Sequence, residues 1–172
     1  MGILSILIRN IRNKHRTKRP DDTVKVPKDF RGILQHDPLL CTSCKTCVYV
    51  CSPSAITFKD KDKEFTIWKY DAGHCSFCER CVEYCPTGAL KIKPEIHKVT
   101  SNRNELYLEN KVYYKPCPHC GKPFIPLPIP IMESLYGKPL TEKINTLQGL
   151  CEKCRQKEAS KYIKDLLIKK RR

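Results

Sequence analysis

Apolar residues recur at helical spacing near both ends of the chain. Near the start they are Ile3, Leu4, Leu7, Ile8 and Ile11, with Arg9, Arg12, Asn13 and Lys14 turned away from them. Near the end, "SKYIKDLLIKKRR" places Ile163, Leu166 and Leu167 opposite lysines. Both patterns predict basic amphipathic helices. Such a helix lies in a membrane interface, on an integral membrane subunit, or packed as an ordinary helix.

The middle of the chain carries a strand pattern. The stretch "AITFKDKDKEFTIWKY", from 55 to 70, predicts a strand, a charged turn and a second strand. We expect Ile56 and Phe58 to face Phe65, Ile67 and Trp68 across this hairpin. Short helical turns at 48–51 and 82–85 are expected to precede strands. Together these elements predict a small α+β unit.

A duplication underlies this unit. "CTSCKTCVYVCSPSAI" contains Cys41, Cys44, Cys47 and Cys51, and "CSFCERCVEYCPTGAL" repeats the pattern 34 residues later with Cys75, Cys78, Cys81 and Cys85. Apolar positions recur at the same offset, as in Val48 with Val82, Ala55 with Ala89, and Ile56 with Leu90. The repeat therefore includes the packing positions as well as the cysteines.

The cysteine spacing predicts two 4Fe-4S clusters. In two-cluster ferredoxins, three thiolates of such a run ligate one cluster and the fourth ligates the other. We therefore expect one cluster on Cys41, Cys44, Cys47 and Cys85, and the second on Cys75, Cys78, Cys81 and Cys51. Zinc at each run is the alternative that thiolate softness permits, but two matched four-cysteine runs favour iron and sulfur.

The two runs differ in the residue after the fourth cysteine. Pro86 follows Cys85 directly, whereas Ser52 separates Cys51 from Pro53 and restores a backbone N–H. Because hydrogen bonds to sulfur influence cluster potential, one hypothesis is that the cluster sharing Cys51 has the higher potential. The other is a rearranged turn with no electronic effect.

The last third of the chain contains a different cysteine pattern. Two C-x-x-C pairs, Cys117 with Cys120 and Cys151 with Cys154, predict a four-thiolate site for structural zinc, with mononuclear iron as the alternative. Gly121 is expected to turn the backbone with positive φ. Between the pairs, a proline-rich apolar arm at 123–131 is expected to run extended, against either a partner subunit or its own zinc module.

Composition and charge limit the functional classes. The chain has 172 residues, of which 40% are hydrophobic and 30% charged, and its formal net charge is +15. With twelve thiolates, two clusters and one zinc included, the charge falls to roughly +9. The start lacks the features of a signal peptide and no stretch is apolar enough to cross a bilayer, so we expect a reduced, cytoplasmic protein without disulfides.

The motifs resemble those of one family. "FRG", "CTSCKTCVYVCSPSAI", "HCSFCERCVEYCPTGAL", "CPHCGKPF" and "CEKCRQK" are similar to the two-cluster ferredoxin subunits of respiratory complex I relatives, especially formate hydrogenlyase and other group 4 membrane-bound nickel–iron hydrogenases. The resemblance implies a bacterial-type ferredoxin fold and carries the eight cluster cysteines over as ligands. Ser52 and Pro53 depart from the family's usual Cys-Pro.

The resemblance also implies a function and partners. It indicates a non-catalytic subunit, peripheral on the cytoplasmic face of the cell membrane, in a hetero-oligomeric complex. Such a subunit relays electrons from a soluble ferredoxin or formate-linked donor to a cluster-bearing small subunit beside the catalytic subunit. The alternative is a basic zinc-ribbon protein that binds nucleic acid or assists assembly. A base-stacking surface requires aromatic residues interleaved with basic ones, and this chain does not have that pattern. We therefore expect no nucleic acid partner.

Three parts are therefore predicted along the chain. Residues 1–36 form an amphipathic helix and basic linker. Residues 37–95 form the two-cluster ferredoxin-like domain. Residues 96–172 form a zinc-knuckle extension with the proline-rich arm and a basic C-terminal helix.

Overall fold

The computed structural model describes residues 2–12, 26–61, 63–96 and 100–170. The predicted positions Asn13 and Lys14, most of the basic linker, and the side chains of Leu166 and Leu167 lie outside this description. In chain order the elements are α1 (Ile3–Arg12), β1 (Ile33–His36), α2 (Thr46–Tyr49), β2 (Ile56–Lys61), β3 (Phe65–Asp71), α3 (Arg80–Glu83), β4 (Leu90–Lys93), a 3-10 turn (Arg103–Leu106), β5 (Tyr107–Tyr113), β6 (Lys115–Pro116), β7 (Pro123–Phe124), α4 (Ile129–Tyr136), α5 (Glu142–Gln148) and α6 (Glu152–Lys170).

The strands form three small antiparallel sheets. Strand β1 pairs with β4, so that Leu34 lies opposite Ile92. A three-stranded sheet has the order β2, β3, β5, and Trp68 on its central strand lies between Phe58 and Asn110. Strands β6 and β7 form a short hairpin further along the chain. The architecture is α+β, as predicted from the sequence.

One detail of the predicted hairpin is wrong. Ile56 lies opposite Tyr70 and Phe58 opposite Trp68, whereas Phe65 and Ile67 lie opposite Lys61 and Lys59. The two-residue alternation of a strand explains the error, because Thr66, Trp68 and Tyr70 point to one face and are buried. The core therefore receives the two largest aromatic side chains of β3.

The core of the N-terminal unit combines strand residues with cysteines. Its buried members, each at most 3% exposed, are Leu34, Ala55, Ile56, Trp68, Tyr70 and Leu90. Six cysteines of the two runs are half-buried. Five of these six, including Cys47 and Cys81, pack directly against this core. Ile56 and Leu90 occupy equivalent positions in the two copies, and both are buried. The two copies therefore pack in the same way at this position.

The helical turns begin earlier than expected. They cover 46–49 and 80–83 instead of 48–51 and 82–85. Each starts directly after a residue with left-handed backbone, Lys45 at φ 62° and Glu79 at φ 64°. The ligand loops thus turn sharply into their helices.

The proline-rich arm packs on its own C-terminal module. Phe124 contacts the buried cluster of Cys117, Leu150 and Cys151, and Gln148 Nε2 donates a hydrogen bond of 2.6 Å to the Leu127 carbonyl. The expected extended run is interrupted, because α4 begins at Ile129 with a proline in its first turn. Ile129, Leu135 and Tyr136 remain exposed on α4.

Strand pairing extends beyond the predicted limits of the ferredoxin-like domain. β1 precedes residue 37 and β5 follows residue 95, yet both pair with strands between those limits.

At the N-terminus, α1 buries none of its residues. Among the described residues, no helix has both the length and the apolar character needed to span a bilayer.

Candidate metal centres

The two cysteine loops share an unusual backbone. Five non-glycine residues of the described chain have positive φ, and all lie in or beside these loops. Equivalent positions match closely: Ser43 and Phe77 at 53°, Lys45 at 62° with Glu79 at 64°, and Ser54 at 54° with Gly88 at 62°. Since L-residues rarely adopt this conformation, the repeated geometry indicates that the loops are shaped around a ligand.

These turns direct backbone N–H groups at cysteine sulfur. Ser43 N lies 3.5 Å from Cys41 Sγ, Phe77 N lies 3.3 Å from Cys75 Sγ, and Ala55 N lies 3.2 Å from Cys51 Sγ. The first two contacts are equivalent in the duplication. Hydrogen bonds of this kind favour the thiolate, which is the form that binds metal.

The first cavity is lined by three cysteines of the first run and one of the second. These are Cys41, Cys44, Cys47 and Cys85, and the cavity that they line is small and partly open to solvent. His36, Phe58 and Trp68 also line it.

The second cavity has the converse composition. Cys75, Cys78 and Cys81 of the second run line it together with Cys51 of the first. Leu34 and Tyr70 form part of its wall. The structure therefore brings all eight predicted ligands into two sets of four, each drawn from both copies.

Electrostatic contacts agree with this grouping. The pKa of Cys47 is raised to about 11, chiefly by burial; the Trp68 indole opposes this rise, and the thiols of Cys41, Cys44 and Cys85 add to it. Burial likewise raises the pKa of Cys81 to about 12, with contributions from Cys75, Cys51, Cys78 and also Cys47. At neutral pH these thiols keep their protons unless a positively charged metal core takes the place of those protons.

Buried polar atoms provide a separate test of whether an iron–sulfur cluster fits. Within the described part of the chain, His36 Nε2, Ser43 Oγ, Trp68 Nε1 and Tyr70 Oη are buried without a hydrogen-bond partner. His36 and Trp68 line the first cavity, Tyr70 lines the second, and Ser43 adjoins Cys41. A sulfur-rich cluster offers acceptors in both places, so the residues present fit the group.

One cysteine of each set reaches the surface. Cys44 and Cys78 are exposed, whereas the other six are half-buried. They are equivalent in the duplication, each being the second cysteine of its run. Exposed apolar side chains, Leu39, Tyr49 and Tyr84, belong to the same segments. The molecule thus has two places where a bound group would approach solvent.

A third site lies in the C-terminal module. The sulfur atoms of Cys117, Cys120, Cys151 and Cys154 all lie within 4.8 Å of one another. Gly121 has φ 69°, as predicted, and its N–H donates a 2.8 Å hydrogen bond to the Cys117 carbonyl. This places both C-x-x-C pairs around one point, with two of the four thiols buried.

The third site stabilises one thiolate directly. The backbone N–H of Cys151 lies 3.4 Å from Cys117 Sγ and lowers the pKa of that thiol. Hydrogen bonding with Cys120 raises the pKa of Cys154. Four converging sulfurs suit a tetrahedral metal, and they can hold zinc or mononuclear iron.

Sequence reasoning missed His36, Trp68 and Tyr70 as cavity residues. The alternation along β3 could have identified the two aromatic residues, because Trp68 and Tyr70 share a face with the buried Thr66. His36 carried no local signal. It reaches the first cavity through the pairing of β1 with β4, which joins residues more than fifty positions apart.

Comparisons with known proteins agree with the cysteine geometry. Residues 40–89 match the family model of the 4Fe-4S dicluster domain. Over 106 residues the chain is 37% identical to formate hydrogenlyase subunit 6 of Escherichia coli (strain K12), which covers 61% of this chain and 59% of that protein. The chain therefore matches somewhat over half of that relative's length. Residues 40–89 thus match a 4Fe-4S dicluster domain, and the chain is similar to formate hydrogenlyase subunit 6 over 106 residues.

Proposed function

We propose that this protein relays single electrons through two 4Fe-4S clusters. Cys41, Cys44, Cys47 and Cys85 would hold one cluster, and Cys75, Cys78, Cys81 and Cys51 the other. The observation that carries the proposal is the pair of cavities, each lined by three cysteines of one run and one of the other. When bound, such clusters accept and release one electron at a time.

The protein holds the two ligand sets close to each other and shields their inner side from water. Cys47 of the first set influences the pKa of Cys81 in the second, so the two thiols lie near each other. The buried side chains of Trp68, Tyr70 and Ile56 exclude water beneath both sets. This arrangement supports electron exchange between neighbouring clusters with little rearrangement of the chain.

Cys44 and Cys78 mark the proposed entry and exit points. Each is the exposed member of its set, and Thr46 Oγ1 lies 3.3 Å from Cys44 Sγ. Their surroundings differ in charge: Lys45 beside Cys44 pairs with Asp60, whereas Glu79 beside Cys78 pairs with Arg31 and is followed by Arg80. Different redox partners are therefore expected at the two positions.

We further propose that the protein is a subunit of a larger respiratory assembly. The 37% identity to a protein named as a formate hydrogenlyase subunit supports membership of a multisubunit complex. In this proposal the electrons pass between a formate-linked or ferredoxin donor and a cluster-bearing small subunit beside the catalytic subunit, on the cytoplasmic face of the membrane. The subunit itself catalyses no substrate chemistry.

Helix α1 is the proposed membrane-side contact. Ile3, Leu4 and Ile11 are 72–80% exposed, and the helix has no acidic residue in its first turn and two arginines in its last. An isolated apolar stripe on a basic helix supports docking on anionic lipid or on an integral subunit. Leu7→Glu should release the protein from membranes, while Ser5→Ala, on the same helix, serves as the matched control.

For the third site we propose structural zinc, with mononuclear iron as the alternative. Its knuckles and the arm pack on each other, and Leu150 is buried between them. A metal there would stabilise the C-terminal module without taking part in electron transfer.

The experiment that tests the relay is anaerobic purification of the native complex, followed by metal analysis and low-temperature EPR of cysteine variants. About eight irons per chain and two interacting 4Fe-4S signals are expected. Cys85→Ser and Cys44→Ser should alter one EPR signal, and Cys51→Ser and Cys78→Ser the other. If Cys85→Ser and Cys78→Ser alter the same signal, the proposed ligand sets are wrong. A chain that carries only zinc would exclude the relay itself.

A further inference from the structure

Strand β3 presents two polar aromatic residues beneath the two cysteine sets. Trp68 and Tyr70 are separated by one residue, point to the same face, and are 0% and 2% exposed. Their rings lie nearly parallel, with centroids 6.1 Å apart. They are the largest fully buried side chains of the described structure.

Each of these residues buries a donor that faces cysteine sulfur without making a hydrogen bond of normal length among the described residues. Trp68 Nε1 and Tyr70 Oη are without a hydrogen-bond partner among the described residues. Such groups are rare in folded proteins, because a buried donor without a partner loses the hydrogen bond it made with water. A buried donor facing a cavity therefore points to an acceptor that occupies the cavity.

The two donors face different cysteine sets. Trp68 lines the first cavity together with Cys47. Tyr70 lines the second cavity, where its hydroxyl has Cys75, Cys81 and Cys51 as neighbours. One strand thus supplies one donor to each set.

The orientation of Trp68 is fixed from the other side. The His36 ring stacks on the indole, with centroids 4.2 Å apart and planes inclined by 11°. Asn110 Nδ2 in turn lies 3.2 Å from the His36 carbonyl and 3.3 Å from His36 Nδ1. The stacked His36 ring, itself held by Asn110, therefore restricts rotation of the indole away from the cavity.

We propose that Trp68 and Tyr70 are positioning residues that each donate one hydrogen bond to the sulfur of a different cluster, and thereby set the two reduction potentials separately. This inference rests on the proposed function, since it requires that both sets hold clusters. A donor to cluster sulfur stabilises the reduced, more negative state more than the oxidised state, so it raises the potential. Removing either donor should lower the potential of one cluster only.

The test is redox titration of the purified two-cluster protein, followed by EPR. Tyr70→Phe removes only a hydroxyl, and Trp68→Phe removes the N–H while keeping an aromatic ring. Signals are assigned beforehand with Cys44→Ser for the first set and Cys78→Ser for the second. Tyr113→Phe, on the exposed part of β5, is the matched control. We expect Trp68→Phe to lower the potential of the first cluster and Tyr70→Phe that of the second. The expected change is up to about tenfold in the reduction equilibrium, or 59 mV for one electron.

A second measurement covers the case in which Trp68→Phe fails to fold. The chain has a single tryptophan, so replacing all tryptophan with a fluorinated analogue changes Trp68 alone. Fluorination makes the N–H a stronger donor with little change of shape, and the first cluster's potential should rise. Unchanged potentials in the fluorinated protein and in Tyr70→Phe, with eight irons retained, would overturn the inference. So would equal shifts of both clusters. Absence of clusters from the unmodified protein would instead refute the proposed function.

Discussion

Gly32 lies directly before β1 and against the backbone at the end of β4, and replacing it by alanine tests the pairing of the two strands. It is buried directly before β1. A Cβ built on it would lie 2.6 Å from both Glu95 N and Glu95 O, and closer still to Lys93 O. All three neighbours are backbone atoms, which cannot rotate aside as a side chain would.

The geometry sets the size of the effect. Real Cβ atoms essentially never approach within 3.0 Å, so the two backbones must separate by more than ~0.4 Å. Overpacking of this kind costs about 1–3 kcal/mol. The separation would disturb the pairing of Leu34 with Ile92, and Leu34 is part of the second cavity's wall. If the whole penalty appears in opening of this sheet, cluster loss should accelerate by ~5- to 150-fold.

The assay follows the visible absorbance of the anaerobic holoprotein in moderate denaturant with an iron chelator, because cluster loss is irreversible and stability is then a rate. Gly149→Ala is the matched control, since its Cβ would meet Thr146 O at an ordinary 3.5 Å and its φ is −68°. Gly149→Ala should lose clusters at the parent rate or more slowly. If Gly32→Ala also bleaches at the parent rate, the close approach of β1 to β4 has been misjudged.

Three further predictions concern the cysteine loops and the third site. Cys117→Ser should abolish binding of the third metal while about eight irons remain, as measured by metal analysis; parallel loss of iron would show that the modules are not independent. Ser52→Pro should leave both reduction potentials unchanged in redox titration, because the backbone N–H that contacts Cys51 Sγ belongs to Ala55. A fall in one potential would instead show that the Ser52 N–H donates to the cluster sharing Cys51. Ser54→Gly should slow cluster loss and Gly88→Ser should hasten it, each by up to ~5-fold, since a non-glycine left-handed residue costs about 1 kcal/mol; equal rates would mean that the loop backbone is unstrained.

The cysteine sets were accessible from the sequence because their determinants are local. Three ligands within seven residues fix a loop, and the second copy repeats it at constant offset. The matching φ values of Lys45 and Glu79 reflect the same local constraint. The positive φ of Gly121 was likewise predictable from its place after a C-x-x-C pair.

The non-local pairings could not be read in the same way. The partners of β1 and β5 depend on which edges the central hairpin leaves free, and short strands of four to seven residues carry little information about that. Phe65 and Ile67 were assigned to the wrong face of β3 because they are apolar. Trp68 and Tyr70, which lie buried on the other face, are apolar as well. With both faces apolar, polarity alone does not determine the inward side.

The strand order β2, β3, β5 has a consequence for how the protein is made. All eight cysteines of the two runs precede residue 86, but the strand that covers the second edge of β3 ends only at Tyr113. As the chain leaves the ribosome, the cysteine loops are therefore complete while one edge of their sheet is still open. Asn110, which fixes His36 against Trp68, also arrives late. The last strand of this sheet is therefore completed only after both cysteine loops have been synthesised.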